Sequence, residues 1–163
     1  MIRLIAAVDR RNGLAKRGFM PWSIPEDEQY FTDQTKSLGG RVLTGGATFR
    51  LAYLNKPLVD RDNYILTRDT TPLEGVTLVH DLADFLADQH DRDLWVSGGA
   101  EVFEQILALG RADELYMTKI EADFGCDQFF PAYETDFELI EQTERREQNG
   151  FLFYYATYRR RAT

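Results

Sequence analysis

Apolar residues are distributed along this chain in short blocks of two kinds. Largely apolar runs with β-branched or aromatic residues occupy positions 2–8, 41–44, 63–67, 76–79 and 94–96, the pattern of strands covered on both faces. Between several of them apolar positions recur at helical spacing, over 25–38, 48–54, 82–89 and 101–109, the last closed by Gly110. Strands alternating with helices predict a parallel, doubly wound sheet. The pattern changes near the end, where runs at 115–120, 137–144 and 151–158 follow one another without a helix and Asn149-Gly150 marks a tight hairpin. The expected fold is therefore α/β and three-layered: a mostly parallel central sheet flanked by helices, with an antiparallel C-terminal hairpin at its edge. No repeat, low-complexity tract or linker interrupts it, so residues 1–163 read as a single domain, with only the basic stretch 159–161 expected to fray.

Composition narrows the partners. A chain of 163 residues, 44% of them hydrophobic, has material for one core and excludes disorder. Its 27 acidic against 19 basic residues leave a net charge of −8, which repels phosphate backbones and anionic lipid, so neither nucleic acid nor membrane is an expected partner. One cysteine, Cys126, and two histidines are too few for a disulfide or a structural zinc site, and no metal is expected. The opening residues lack a signal-peptide pattern and the longest apolar run, 151–156, is too short to span a bilayer, which makes the cytoplasm the expected location. Cys126 reads as loop packing, Trp95 as core, and His80 and His90 as surface residues beside a helix.

Two glycine turns stand where a strand passes into a helix: Gly45-Gly46-Ala47-Thr48 and Ser97-Gly98-Gly99-Ala100. In a parallel sheet both lie at the carboxyl edge, where glycine lets backbone amides approach an anion and the pair can clasp a pyrophosphate. Taken singly, each is better explained as strand-to-helix geometry, and only together are the two readings in balance. Neither is a Gly-x-Gly-x-x-Gly fingerprint or a Lys-bearing phosphate loop, so an ordinary dinucleotide-binding enzyme or nucleotide triphosphatase is not indicated. The loop Met20-Pro21-Trp22-Ser23-Ile24-Pro25-Glu26-Asp27 enters a helix at Pro25, and helical spacing puts Asp27, Phe31, Gln34 and Leu38 on one face, with Glu26, Glu28 and Asp33 elsewhere. An isolated acid in a first turn can simply favour the helix dipole. Half-buried beside Trp22 and Phe31, Asp27 would instead have a raised pKa and could recognise a heterocycle with adjacent ring N–H and amino donors.

In order, these residues resemble the dihydrofolate reductase family over nearly the whole chain. The resemblance rests on residues 2–8, on Pro21-Trp22 followed by Pro25 and Asp27, and on Thr48 after the first glycine turn. It continues through residues 61–68, Gly98-Gly99, residues 115–118, Asp127 and Phe130-Pro131. It implies NADPH-dependent reduction of 7,8-dihydrofolate to tetrahydrofolate, feeding one-carbon and thymidylate metabolism, by a monomer. Asp27, Trp22 and Thr118 would be the catalytic residues. The pterin and its tail would be lined by Ile5, Ala7, Glu28, Phe31, Leu54, Ser97 and Thr118, with Arg61 forking onto the folate α-carboxylate. Hydride would pass to pterin C6, with water protonating N5 and Asp27 acting on pterin binding and electrostatics.

On the cofactor side the resemblance implies Thr48, Gly98 and Gly99 at the diphosphate and Thr67 and Arg68 at the 2′-phosphate. Ala7, Leu14, Ala15, Gly45, Gly46, Ala47, Leu66, Ser97, Ala100, Glu101, Val102 and Phe103 would complete the cofactor site. It further implies a cis peptide between Gly98 and Gly99 and a loop over residues 12–20 that closes on the nicotinamide. The chain departs from the family at Gly46 and Ala47, where basic residues are usual, at Ala15 for glycine, at Ser97 for an aliphatic residue, at Phe103 for tyrosine and at Glu28 for an apolar residue. With no charge at Gly46 or Ala47, preference for NADPH is expected to rest on Arg68. Two rivals are a reductase of the riboflavin pathway, which would lack Pro-Trp-x-x-Pro-x-Asp and Arg61, and a folate- or nucleotide-binding module without turnover.

Overall fold

The central apolar runs become strands of one sheet that is covered on both faces: Leu4, Val8, Leu43, Leu94 and Leu115 have no exposed surface. The computed structural model describes residues 1–89 and 91–162, and His90 lies outside them. Along the chain come β1 (Ile2–Val8), β2 (Gly13–Ala15), α1 (Pro25–Lys36), β3 (Arg41–Gly45), α2 (Gly46–Leu51), β4 (Asp62–Leu66), β5 (Val76–Val79) and α3 (Leu82–Ala87). There follow β6 (Leu94–Val96), α4 (Ala100–Ala108), β7 (Glu114–Ile120), β8 (Gln128–Phe129), β9 (Phe137–Gln142), β10 (Arg146–Gln148) and β11 (Phe151–Arg160).

The nine-stranded sheet has the order β10-β11-β7-β1-β6-β3-β4-β5, with β9 also on β11. From β7 to β5 all neighbours are parallel, whereas β11 runs antiparallel to β7, β9 and β10. The expected mostly parallel sheet with an antiparallel edge is the fold observed. Asn149 and Gly150 join β10 to β11 with φ of 53° and 81°, the left-handed pair that a two-residue hairpin requires. The run expected at 137–144 is shorter, β9 stopping at Gln142, and although β9 does pair antiparallel with β11, the strand joined to β11 by the turn is an additional one, β10.

Helix ends differ from the sequence reading in ways that matter later. Pro25 opens α1 as expected, but the helix ends at Lys36 and Leu38, Gly39 and Gly40 all take positive φ. Leu38 is thereby turned off the Asp27 face and is half exposed. Helix α2 starts two residues before position 48 and stops at Leu51, after which Leu54 and Asn55 have φ of 53° and 60°. Residues 159–161 do not fray. Arg159 donates to the buried Glu114 carboxylate at 3.0 Å, Arg160 Nε to Ala112 O at 2.7 Å and the Arg161 amide to Asp136 O at 2.8 Å. One buried acid and two backbone carbonyls, all distant along the chain and invisible in a basic tripeptide, hold them.

Trp95 is core and Cys126 packs in a loop, as expected, with burial pushing its thiol up to about 11. His80 is exposed, its Nδ1 2.8 Å from Thr67 O. The carboxyl ends of β1, β3 and β6 open together onto a cleft between α1 and the loops after β1 and α2.

Candidate active site

The cleft encloses about 540 Å³. At its floor, Asp27 in the first turn of α1 meets Thr118 on β7: the threonine hydroxyl donates to Asp27 Oδ1 at 2.6 Å. Thr118 is there because β7 pairs with β1 in a register that sets it beside Ala7, and the two elements bring residues 91 positions apart into contact. Burial pushes the Asp27 carboxyl up to about 6; the Thr118 hydrogen bond opposes this and the nearby charges of Glu28 and Glu26 add to it. A carboxylate with one oxygen engaged and the other open to the cleft can accept from paired N–H donors of a ring.

Aromatic walls surround this acid. Trp22 is 7% exposed, its ring 5.1 Å from that of Phe124, and its Nε1 is a buried donor with no acceptor among the described residues. The Trp22 ring lines the cleft together with the acid, and its unpartnered N–H is a group that a ligand oxygen, or water held with one, would satisfy. Tyr30 stacks on Tyr155 at 3.9 Å behind Asp27. Ile5, Ala7 and Phe31 line the floor and near wall as expected. Glu28 lines the same cleft from an exposed position one residue on, so it shares the opening that helical spacing alone assigned only to Asp27.

Arg61 stands at the far end. Its Nε donates to Val59 O and its Nη1 to Thr35 Oγ1, each at 2.9 Å, which fixes the fork with the remaining N–H groups toward the cleft it lines. Asn63 holds the loop that carries it, donating to both Leu58 O and Arg61 O at 2.9 Å. Leu54 is a correction: the turn after α2 leaves it 67% exposed and off the cleft, and the apolar wall beside Arg61 is supplied by Leu58.

The two glycine turns meet across the sheet, the Gly45 amide donating to Gly98 O at 2.7 Å. A Cβ on Gly99 would stand 2.8 Å from Thr48 Oγ1, and one on Gly45 would stand 2.9 Å from Val102 Cγ2, so only bare backbone fits there. Leu14, Ala15, Thr48, Ser97, Ala100 and Phe103 line the same cleft. The other residues expected at the cofactor are dispersed. Leu66 packs on the core, Val102 is buried, Glu101, Ala47 and Arg68 are exposed off the cleft, and Gly46 and Thr67 border a smaller depression next to it.

Comparison with known proteins settles the kinship of this arrangement. The sequence profile described as dihydrofolate reductase matches residues 1–160. The chain belongs to the dihydrofolate reductase family. It is 33% identical to the dihydrofolate reductase of Drosophila melanogaster over 170 residues, 93% of each chain. Against that of Bacillus subtilis it is 31% identical over 166 residues, covering 99% of this chain and 95% of the relative. Dihydrofolate reductase from Enterococcus faecalis, solved with NADP(H) and RAB-propyl, superposes with a TM-score of 0.87 at 27% identity, covering 99% of this chain and 97% of that one.

Against the dihydrofolate reductase family, the expected cis peptide between Gly98 and Gly99 is present. Serine at position 97 is absorbed by a small network: Thr44 Oγ1 lies 2.8 Å from Ser97 Oγ, and the Tyr53 hydroxyl donates to the same oxygen at 3.1 Å. Tyr53 was missed because the helix expected over 48–54 gave no reason to turn it inward; its environment becomes clear only once α2 ends at Leu51. Asp9 was missed as well. It is 3% exposed and accepts from the amides of Arg11, Gly13 and Phe124 at 2.9, 2.7 and 3.1 Å, tying the loop over the cleft to the loop after β7. Burial alone would raise its pKa, but these three amides hold it below the ordinary carboxylate range.

Proposed function

We infer that this chain is an NADPH-dependent dihydrofolate reductase, converting 7,8-dihydrofolate to 5,6,7,8-tetrahydrofolate with uptake of one proton. NADPH, when bound, supplies the hydride that reaches pterin C6, and the proton goes to N5. The observation that carries the reading is the Asp27–Thr118 pair at 2.6 Å on the floor of an aromatic-walled cleft.

The ionised Asp27 accepts the pterin ring N–H and amino group, which fixes the ring face toward the glycine turns. Thr118 donates its hydroxyl hydrogen bond to Asp27 and so offers its oxygen lone pairs to the amino group. Phe31 and Ile5 cover the ring, Trp22 offers its indole N–H to the pterin edge, and Arg61 takes the α-carboxylate of the glutamate tail. Asp27 serves binding and field, and water delivers the N5 proton. Bare backbone at Gly45 and Gly99 with the Thr48 hydroxyl beside it suits a diphosphate. Residues 12–20 shield the reacting carbons from water, anchored through the Arg17 amide, which donates to Asp127 at 3.0 Å.

One copy of the chain supplies every group used, in keeping with a monomer acting in the cytoplasm. Among the described residues no helix is long and apolar enough to cross a membrane. The test is loss of reduced-nicotinamide absorbance on adding dihydrofolate to enzyme and NADPH. A rate that requires all three components supports the reading; its absence in folded protein overturns it.

A further inference from the structure

Gly46 leaves a gap where a side chain would fit only by touching two others. A Cβ built on it would lie 3.2 Å from Thr67 Oγ1 and 3.3 Å from Arg50 Nη1. Gly46, Arg50, Thr67, Asn55, Asp69 and Thr71 border the depression beside the main cleft. The placement follows from the fold. Strands β3 and β4 are parallel with Gly45 opposite Leu66, so the residues just past their ends, Gly46 and Thr67, adjoin. Arg50 lies four positions after Gly46, one helical turn on, and extends over the side that glycine leaves bare.

The groups in the depression are poised to receive an anion. The Thr67 oxygen already accepts the Asp69 amide at 3.1 Å, so its own proton is free to be donated outward. Asp69 accepts the Thr71 amide at 3.0 Å, which with the nearby Arg50 charge holds its carboxyl below the usual range, so a phosphate would share Arg50 with this carboxylate. Arg50 makes no ion pair or hydrogen bond with protein among the described residues. Sheet order runs β6-β3-β4, so the depression lies one strand beyond the Gly45 and Gly98 turns, on the side away from Asp27. Arg68 follows Thr67 but lines neither cavity.

We propose that Arg50, reaching through the space vacated at Gly46, is the cation that binds the phosphate on the adenosine ribose of the cofactor, with the Thr67 hydroxyl as its companion donor. The assignment rests on the NADPH reading but concerns a residue that reading did not use, and it moves the charge expected at Arg68 onto α2. A guanidinium on a phosphate is a strong, forked contact, and lysine in its place keeps charge while losing the fork.

The experiment is calorimetric titration of the intact protein with adenosine 2′,5′-bisphosphate and, as control, adenosine 5′-monophosphate, on wild type, Arg50→Gln, Arg50→Lys and Arg68→Gln. Arg50→Gln should weaken the bisphosphate by about 10- to 100-fold while leaving the monophosphate within about threefold. Arg50→Lys should recover part of that loss, and Arg68→Gln should lose less than Arg50→Gln. Arg50 is exposed, so far-UV circular dichroism and melting of the variants should match wild type. A wild type without preference for the bisphosphate, an Arg50→Gln variant within about threefold of wild type, or a larger loss in Arg68→Gln would each overturn the assignment. The probe has neither nicotinamide nor pterin, so this outcome is separate from turnover: a wild type inactive with dihydrofolate refutes the function and not the role of Arg50.

Discussion

Replacing Asp27 by Asn should make the protein more stable at neutral pH while removing most of its activity. The folded carboxyl titrates near 6 against 3.8 for the ordinary group, chiefly because it is buried. Between those values the folded protein keeps a proton that the unfolded chain has lost, so stability falls as pH rises through the window and stays lower above it. The loss amounts to about 3 kcal/mol once both states are ionised. Asn carries no charge, so it escapes this loss, and its carbonyl oxygen can still accept from Thr118. Its buried amide hydrogens lose water without a defined acceptor, which costs about 1–2 kcal/mol at every pH. The net gain at pH 8 is then about 1–2 kcal/mol, and the stability of the variant relative to wild type should rise by about 2 kcal/mol between about pH 4.5 and 8. Urea unfolding followed by circular dichroism at both pH values measures this. In parallel, kcat for dihydrofolate near neutral pH should fall by about 100-fold or more. A stability difference flat across that range would show that Asp27 is not held buried and charged, and a folded variant keeping about a third of wild-type turnover would remove it from the mechanism.

Three further substitutions probe the surrounding contacts. Thr118→Val removes the hydrogen bond that favours the ionised acid, so the acid limb of the kcat/KM profile should move upward from about 6 by about one unit; a limb that stays in place would mean the limb does not belong to Asp27. Arg61→Ala should weaken dihydrofolate by about 2–4 kcal/mol, seen mainly in KM, whereas a pterin without the glutamate tail should be little affected; equal losses would give Arg61 a structural role through Thr35. Glu28→Leu should tighten diaminopyrimidine inhibitors by relieving the desolvation of a carboxylate at the cleft, and should move the acid limb down because Glu28 helps raise the Asp27 pKa; unchanged inhibition constants would place Glu28 wholly in solvent.

What was legible in the sequence was what is written locally. Runs of β-branched residues identified the strands because strands buried on both faces need no alternation, and Asn149-Gly150 specified its turn because both residues must take positive φ. Asp27 stood out because Pro25 fixes the start of its helix and so its direction. Its partner Thr118 came only from resemblance, since nothing within 91 positions of chain indicates that β7 will lie on β1. The misplaced residues have a common physical origin. Leu38 and Leu54 follow helices whose apolar spacing continues past their true ends, and backbone in the left-handed region carried each away from the face that periodicity gave it. Strands β2 and β8, of three and two residues, are shorter than any period.

The tail and Asp9 show the same limit from the opposite direction, because there a charge was the clue and its partner was missing. Arg159 in a basic triplet reads as solvated until Glu114, 4% exposed on β7, turns out to bind it and Arg3 together. Asp9 reads as the polar end of a strand until its three amide donors converge from both sides of a loop, one of them 115 residues away. A carboxylate that takes three backbone N–H groups cannot lose any without leaving buried donors unpaired. The loop over the cleft is therefore fixed at its root and free only toward Phe19 and Met20, both more than half exposed. That division of rigidity is what a closing loop requires: a fixed hinge beside Ala7, where the ring must be positioned, and an exposed tip, paired within itself through Lys16 and Phe19, that can follow the ligand in.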